Sequence, residues 1–414
     1  MVRFDDEGKP QDAVLDELAH MGDDDIDWKG GRTAAYIFSA GDDVRSLGQK
    51  AYNQFFSENA LGARRAFPSV QRMEREVIAK GLDLFNAPTG AAGNMTTGGT
   101  ESIVMAVKAC RDWTRKRRGA DFKGTIVLPD SAHPAFEKAA ALMDLTVKRV
   151  PLAAGYVADP DATANAIDPN TMLIVGSAPC FPFGTIDPIA ELSRIAVELG
   201  VWLHVDACVG GWLAPFVADI GRPIPRFDFG LDGVKSISAD LHKFGFCPKP
   251  ASTIFYRSEA LQACQEFVFD AWPSGRFATQ TLVGTRPAGA VAAAWAVLNH
   301  LGRNGYRRIA RDVMEIRDAY LESLLTIPGM KVRGVPALAN IAFGCDDVDM
   351  GKVATLMNER GWLPSQLKTP PSLHLMLSLH HGPAREAYVR DVAECVELVR
   401  HGRADASATS AQYS

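Results

Sequence analysis

Residues 204–216 read HVDACVGGWLAPF and residues 236–249 read SISADLHKFGFCPK. The first segment closes an apolar run, Val201 to Val205, with an acid, Asp206, followed by small residues. The second continues a strand-like run, Val234 to Ala239, into a His-Lys pair, His242 and Lys243. A carboxylate at one strand end and an amine at the next suit a particular chemistry. The amine joins an aldehyde, while the acid keeps a heteroaromatic nitrogen protonated so that its ring can take up electrons. An ordinary strand-end acid and a solvated lysine would leave the same letters. Phe244, Phe246 and Trp212 favour the chemical reading, because apolar surroundings lower an amine pKa and keep it nucleophilic.

Outward from this centre the chain alternates between β-rich and helical runs. Strands are expected at Gly124 to Leu128, Val147 to Val150, Met172 to Gly176 and Ser252 to Tyr256, besides the two already named. Helices are expected at Glu101 to Arg118, Pro134 to Met143 and Pro188 to Leu199. Such alternation predicts a mostly parallel sheet covered on both faces, with ligands outside the carboxyl ends of its strands. Upstream, Val70, Met73, Val77, Leu82 and Phe85 recur at helical spacing, and Asp42 to Glu58 reads as a helix with acids in its first turn. Residues 1–32 read as a short helix, Ala13 to His20, in a loose acidic arm that is ordered only against a neighbour. Downstream, Arg286 to Arg303 is Ala-rich and helical. Helices near 305–326 and 348–360 and strands at Ala339 to Phe343 and Ser372 to Ser378 then suggest a smaller α+β unit. The expected division is an arm with helices (1–70), a large α/β unit (71–287) and a small α+β unit (288–414) whose last dozen residues are disordered.

Composition narrows the function. Of 414 residues, 47% are hydrophobic and 22% charged, an ordinary globular balance, and a net charge of −5 offers no basic field for nucleic acid. Seven scattered cysteines without a CxxC pair predict a reducing, cytoplasmic setting and no zinc site. No apolar run approaches the roughly 18 residues that span a bilayer, so a soluble protein without a transmembrane segment is expected.

Three further segments carry chemistry. TTGGTES at 96–102 opens a helix, and its glycines and free N–H groups suit an anion, although a tight turn with a Thr N-cap reads equally well. His133, in SAHPAFEKAA, precedes a helix; it is either a helix-terminus residue or an imidazole stacked on a flat ring. Lys249 is a solvated lysine or the anchor for a second anion, and Arg64 and Arg65 read as a solvated basic face.

Glycine-rich helix start, His, strand-end Asp, then Ser-x-x-x-His-Lys is the order found in pyridoxal phosphate enzymes of the aspartate aminotransferase-like fold (fold type I). Within them the chain resembles the sphingosine-1-phosphate lyases of the group II decarboxylase superfamily. The matching stretches include FPSVQRMEREV (67–77), TTGGTES, SAHPAFEKAA (131–140), GTIDPI (184–189), the two segments quoted first, GTRPAG (284–289) and PPSLH (370–374). The resemblance runs from about residue 33 to 400.

It implies pyridoxal 5'-phosphate as cofactor, with Lys243 in imine linkage, Asp206 on the pyridine nitrogen and His133 stacked on the ring. Gly99, Thr100 and His242 would hold the cofactor phosphate. Thr285 would reach the cofactor of a neighbouring subunit, which makes the expected unit a homodimer. Tyr36 and Lys249 would grip a phosphate on the substrate. The implied reaction is retro-aldol cleavage of a phosphorylated long-chain amino alcohol to a fatty aldehyde and phosphoethanolamine.

The substrate side departs from the pattern. Where the family carries an NPLHP-like segment with a phosphate-binding His, this chain has NALGARRAFPS. Phe246 stands for a Tyr, Phe183 for a frequent His and Pro250 for a Gly, and the family's membrane anchor is not expected here. Arg64 or Arg65 is expected to supply the missing charge. Two other readings stay open: an amino-acid α-decarboxylase, in which the arginines fork onto a carboxylate, and a cofactor-binding protein without catalysis, against which the intact lysine speaks.

Overall fold

The structure, a computed structural model, describes residues 3–403. Its central sheet has seven strands: Ala92–Thr96 (β1), Thr125–Pro129 (β2), Thr146–Val150 (β3), Thr171–Ser177 (β4), Trp202–Asp206 (β5), Val234–Ala239 (β6) and Ser252–Tyr256 (β7). They lie in the order β1-β7-β6-β5-β4-β2-β3. β6, β5, β4, β2 and β3 pair in parallel, and β7 alone runs against its neighbours. β2, β4, β5 and β7 are buried at every residue, as strands covered on both faces must be. Helices Gly99–Arg118 and Ala135–Met143 close one layer, and Pro68–Leu84 and Ile189–Leu199 pack elsewhere on the sheet. In Pro68–Leu84 a side chain at Gly81 would run into the Phe255 ring, so glycine there permits close packing of helix on sheet.

A second sheet is antiparallel, in the order Met330–Val332, Asn340–Cys345, Pro371–Met376, Ser365–Lys368. One long helix, Ala288–Leu324, joins the region of the first sheet to that of the second.

Several boundaries differ from expectation. The helix expected to reach Glu58 stops at Gln54, where Phe55 leaves helical geometry (φ −118°). The two helices expected at 286–303 and 305–326 are present as two stretches of Ala288–Leu324 that meet at a break at Gly302 (φ 53°, ψ −173°), close to the expected boundary. β1 was not anticipated, because AGNMT lacks the branched residues that mark a strand and pairs along one edge only. The hairpin Phe267–Phe269/Phe277–Thr279 and the helix Arg385–Arg400 were also missed. The tail anticipated at 403–414 lies, apart from Arg403, outside the described residues. Among the described residues no helix is long and apolar enough to cross a membrane.

Candidate active site

β1, β2, β4, β5 and β6 point the same way, so their carboxyl ends deliver Thr97, His133, Ser177, Asp206 and Lys243 to one edge of the sheet. There they wall a cavity of about 290 Å³, together with Gly99, Thr100 and His242. Six sequence-predicted residues are therefore neighbours in space, although they are scattered over 144 positions from Gly99 to Lys243.

Lys243 Nζ lies 2.9 Å from Oδ2 of Asp240, a buried acid at the end of β6. The same oxygen is 3.7 Å from His242 Nε2, and Ser252 Oγ donates to Asp240 Oδ1 at 2.5 Å. Burial alone would raise the Asp240 carboxyl, but Lys243, His242 and Ser252 together hold it below the usual carboxylate range. Asp240 is the site residue that the sequence reading passed over. Its signal was present: an acid three positions before the lysine, just past a strand, in SADLHK.

Asp206 is 7% exposed and accepts from the Cys208 N–H at 3.0 Å and from Ser238 Oγ at 3.3 Å, both on Oδ1. Among the described residues no Lys, Arg or His forms an ion pair with it, and it lines the cavity, where it can meet a cationic group of a ligand. His133 Nδ1 accepts the Ala135 N–H at 3.1 Å, which leaves the ring proton on Nε2, and burial lowers its pKa. His242 is likewise lowered by burial, and its Nδ1 accepts the Ala251 N–H at 3.4 Å.

Gly99 and Thr100 open the 20-residue helix Gly99–Arg118, whose first N–H groups have no partner within the helix. A Cβ on Gly99 would meet Asp240 Oδ2 and Cys208 Sγ at 2.9 Å each, so only glycine lets this helix start approach the site. Glu101 is buried; it accepts from Thr97 N and Oγ1 (2.7 and 2.6 Å) and from Leu282 N (2.9 Å), which locks the turn to the 282–285 loop. These features fit pyridoxal phosphate: an amine, an unpaired carboxylate, an imidazole and a helix N-terminus for phosphate around one cavity.

The remaining candidates lie apart. Tyr36 and Lys249 meet through a 2.8 Å bond from Lys249 Nζ to the Tyr36 carbonyl, and burial lowers the lysine pKa. Lys249 lines a second, mostly apolar cavity of about 380 Å³ with Phe38, Tyr52 and Phe246, and His242 stands in the wall of both. Arg64 lines a third cavity, of about 620 Å³, and Arg65 is exposed beside it. Thr285 Oγ1 accepts from Asn59 Nδ2 at 3.2 Å, on the same edge as Arg64. Phe183, in place of a polar residue, stacks on Tyr156 (4.5 Å) away from Lys243.

Comparison with known proteins agrees with this geometry. Residues 28–344 match the family model of the pyridoxal-dependent decarboxylase conserved domain. The sphingosine-1-phosphate lyase of Oryza sativa subsp. japonica is 37% identical over 395 residues, 94% of this chain and 73% of the rice protein. A probable L-tyrosine/L-aspartate decarboxylase of Methanothermobacter thermautotrophicus is 34% identical over 338 residues, 81% of this chain and 89% of that one. The solved sphingosine-1-phosphate lyase of Burkholderia pseudomallei K96243 superposes with a TM-score of 0.92 at 37% identity, covering 98% of this chain and 94% of that chain. The fold is thus the aspartate aminotransferase-like α/β fold expected from the motif order. With its lysine, its acid and its glycine-rich turn around one cavity, the chain belongs to the pyridoxal-dependent decarboxylase family, and within it to the sphingosine-1-phosphate lyases, as a pyridoxal phosphate-dependent lyase.

Proposed function

We propose that the protein cleaves the Cα–Cβ bond of a phosphorylated long-chain amino alcohol, releasing a fatty aldehyde and phosphoethanolamine. The observation that carries this reading is the second cavity: mostly apolar walls, Lys249 at its exposed rim, and His242 shared with the cavity of Lys243. An amphiphile with an amine at one site and a phosphate near the other matches that layout.

Pyridoxal phosphate, when bound, supplies the electron sink for the broken bond. Gly99, Thr100 and His242 hold its phosphate at the helix start, and Asp206 keeps its ring nitrogen protonated. Lys243 anchors its aldehyde carbon, with Asp240 holding the amine in place. His133, with its ring proton on Nε2, stands at the cavity wall. Lys249 and Tyr36 grip the substrate phosphate.

The active unit we propose is a homodimer. Thr285, Arg64 and Arg65 share an edge with exposed Phe56, Leu61, Phe267, Trp272 and Leu282. Such a patch is apolar enough to pair with a second copy, and it would carry Thr285 and the arginines into the neighbour's site. The helix Gln11–Met21 supports the same reading: Leu15, Leu18 and Met21 are exposed and nothing among the described residues covers them. Seven unpaired, buried cysteines favour a reducing compartment, and we place the protein in the cytoplasm.

The alternative, amino-acid decarboxylation, is favoured by the likeness to the archaeal decarboxylase. Incubation with a sphingoid-base phosphate and, separately, with a panel of amino acids decides between them. Aldehyde release from the phosphate supports the lyase reading; carbon dioxide from an amino acid without any aldehyde overturns it.

A further inference from the structure

Trp202, His204 and Asp206 alternate along one face of β5, and Ser236 and Ser238 stand opposite His204 and Asp206 on β6. All five are buried, and hydrogen bonds join them in a row. Trp202 Nε1–H donates to Ser236 Oγ at 2.8 Å, and that oxygen lies 2.8 Å from His204 Nδ1. His204 Nε2 lies 3.1 Å from Ser238 Oγ, which donates to Asp206 Oδ1 at 3.3 Å. The ring of Phe136 packs edge-on against the imidazole at 5.8 Å.

The ends of the row set its direction. An indole N–H only donates, a carboxylate only accepts, and each serine has one proton to give. The Ser238 proton goes to Asp206, so Ser238 must accept from His204 Nε2–H. Burial keeps the imidazole neutral, its pKa pulled down to about 4, so Nδ1 carries a lone pair and takes the Ser236 proton. Every proton in the row therefore points towards Asp206. A buried polar row costs stability unless each member is satisfied, and here each is.

We propose that His204, with Ser236 and Ser238, is a positioning device for Asp206. By engaging Oδ1, the row fixes the carboxylate rotamer and leaves Oδ2 to face the cofactor's ring nitrogen. His204 touches neither cofactor nor substrate and acts only through Asp206. The inference rests on the assignment of Asp206 to that nitrogen.

The test uses the full chain, before and after loading with pyridoxal phosphate, as wild type and as Asp206→Asn, Ser238→Ala, His204→Leu and His204→Gln. In cofactor-free protein labelled with ¹⁵N-histidine, the His204 shifts should report a neutral ring protonated on Nε2. Ser238→Ala and His204→Leu should weaken pyridoxal phosphate binding about tenfold, equivalent to about 1.4 kcal/mol, and displace the visible absorbance band of the bound cofactor. His204→Gln keeps an N–H near the Nε2 position and should recover most of both signals. Should His204→Leu fail to fold, Ser238→Ala, which removes a single oxygen, carries the test. An Nδ1–H ring in the wild type, or equal losses in the Leu and Gln variants, overturns the proposal. If Asp206→Asn moves affinity and band while Ser238→Ala moves neither, the row has no positioning role but Asp206 keeps its assignment. If Asp206→Asn itself moves neither, the assignment falls and this inference with it.

Discussion

The cavity around Lys243 is walled by strand ends and the helix starts that follow them, whereas the cavity around Lys249 is walled largely by loops and by the helix Asp42–Gln54. The first wall is built on a sheet buried on both faces, where a one-residue slip would move every side chain to the wrong side. The second includes Phe246, and Lys249 is held by the carbonyl of Tyr36; both Tyr36 and Phe246 are at positive φ (73° and 58°). The lesson is a division of labour. The proposed cofactor residues sit on the rigid scaffold, and the proposed substrate residues sit where backbone can be altered without unravelling the sheet. Of the departures from the expected pattern, Phe246 falls in the second wall, while NALGARRAFPS lines the third cavity through Ala60, Leu61, Ala63 and Arg64.

Four substitutions or conditions break or sharpen that contrast. Lys243→Ala should cost the most: loss of the visible cofactor band and a fall in kcat of about a thousandfold or more, read by absorbance and turnover. Asp240→Asn should come next. It removes the buried charge beside Lys243 and should lower kcat/KM by about ten- to a hundredfold, in line with about 1.5–3 kcal/mol for a hydrogen bond to a charged group. Lys249→Met should act on the other half alone, raising KM for a phosphorylated substrate about tenfold with kcat little changed. The double change Arg64→Ala with Arg65→Ala should do likewise in the dimer. If KM is unmoved, those arginines play no part in the site, and the loop wall has not replaced its missing histidine.

The last contrast is in stability. His204, under the cofactor half, and His374, beneath Phe181 in the second sheet, are both buried and both held near pKa 4 against an ordinary 6.5. A depressed folded-state pKa means that the unfolded chain binds the proton first. The stability these rings contribute is complete above pH 6.5 and is lost as pH falls towards 4, by on the order of 3 kcal/mol for each. Asp187, raised to about 6 by burial, works the opposite way between pH 6 and its unfolded value near 4, but one carboxyl does not offset two imidazoles. Melting temperature should therefore drop from pH 7 to pH 4.5, and His374→Gln should flatten that drop.

The order of motifs along the chain was enough to specify the α/β class and the cofactor and to single out six residues that line one cavity, because each lies at or just past a strand end and strand ends of a parallel sheet converge whatever the details of packing. Asp240 was readable but unread: its chemistry becomes plain only when Ser252 arrives from β7 and Lys243 turns back on it. β1 was beyond local pattern, since it depends on an edge partner 160 positions away. Where Arg64, Lys249 and Thr285 stand relative to Lys243 belonged wholly to the tertiary structure. Long flexible side chains on loops carry no periodicity, so nothing in their sequence spacing encodes which cavity they line.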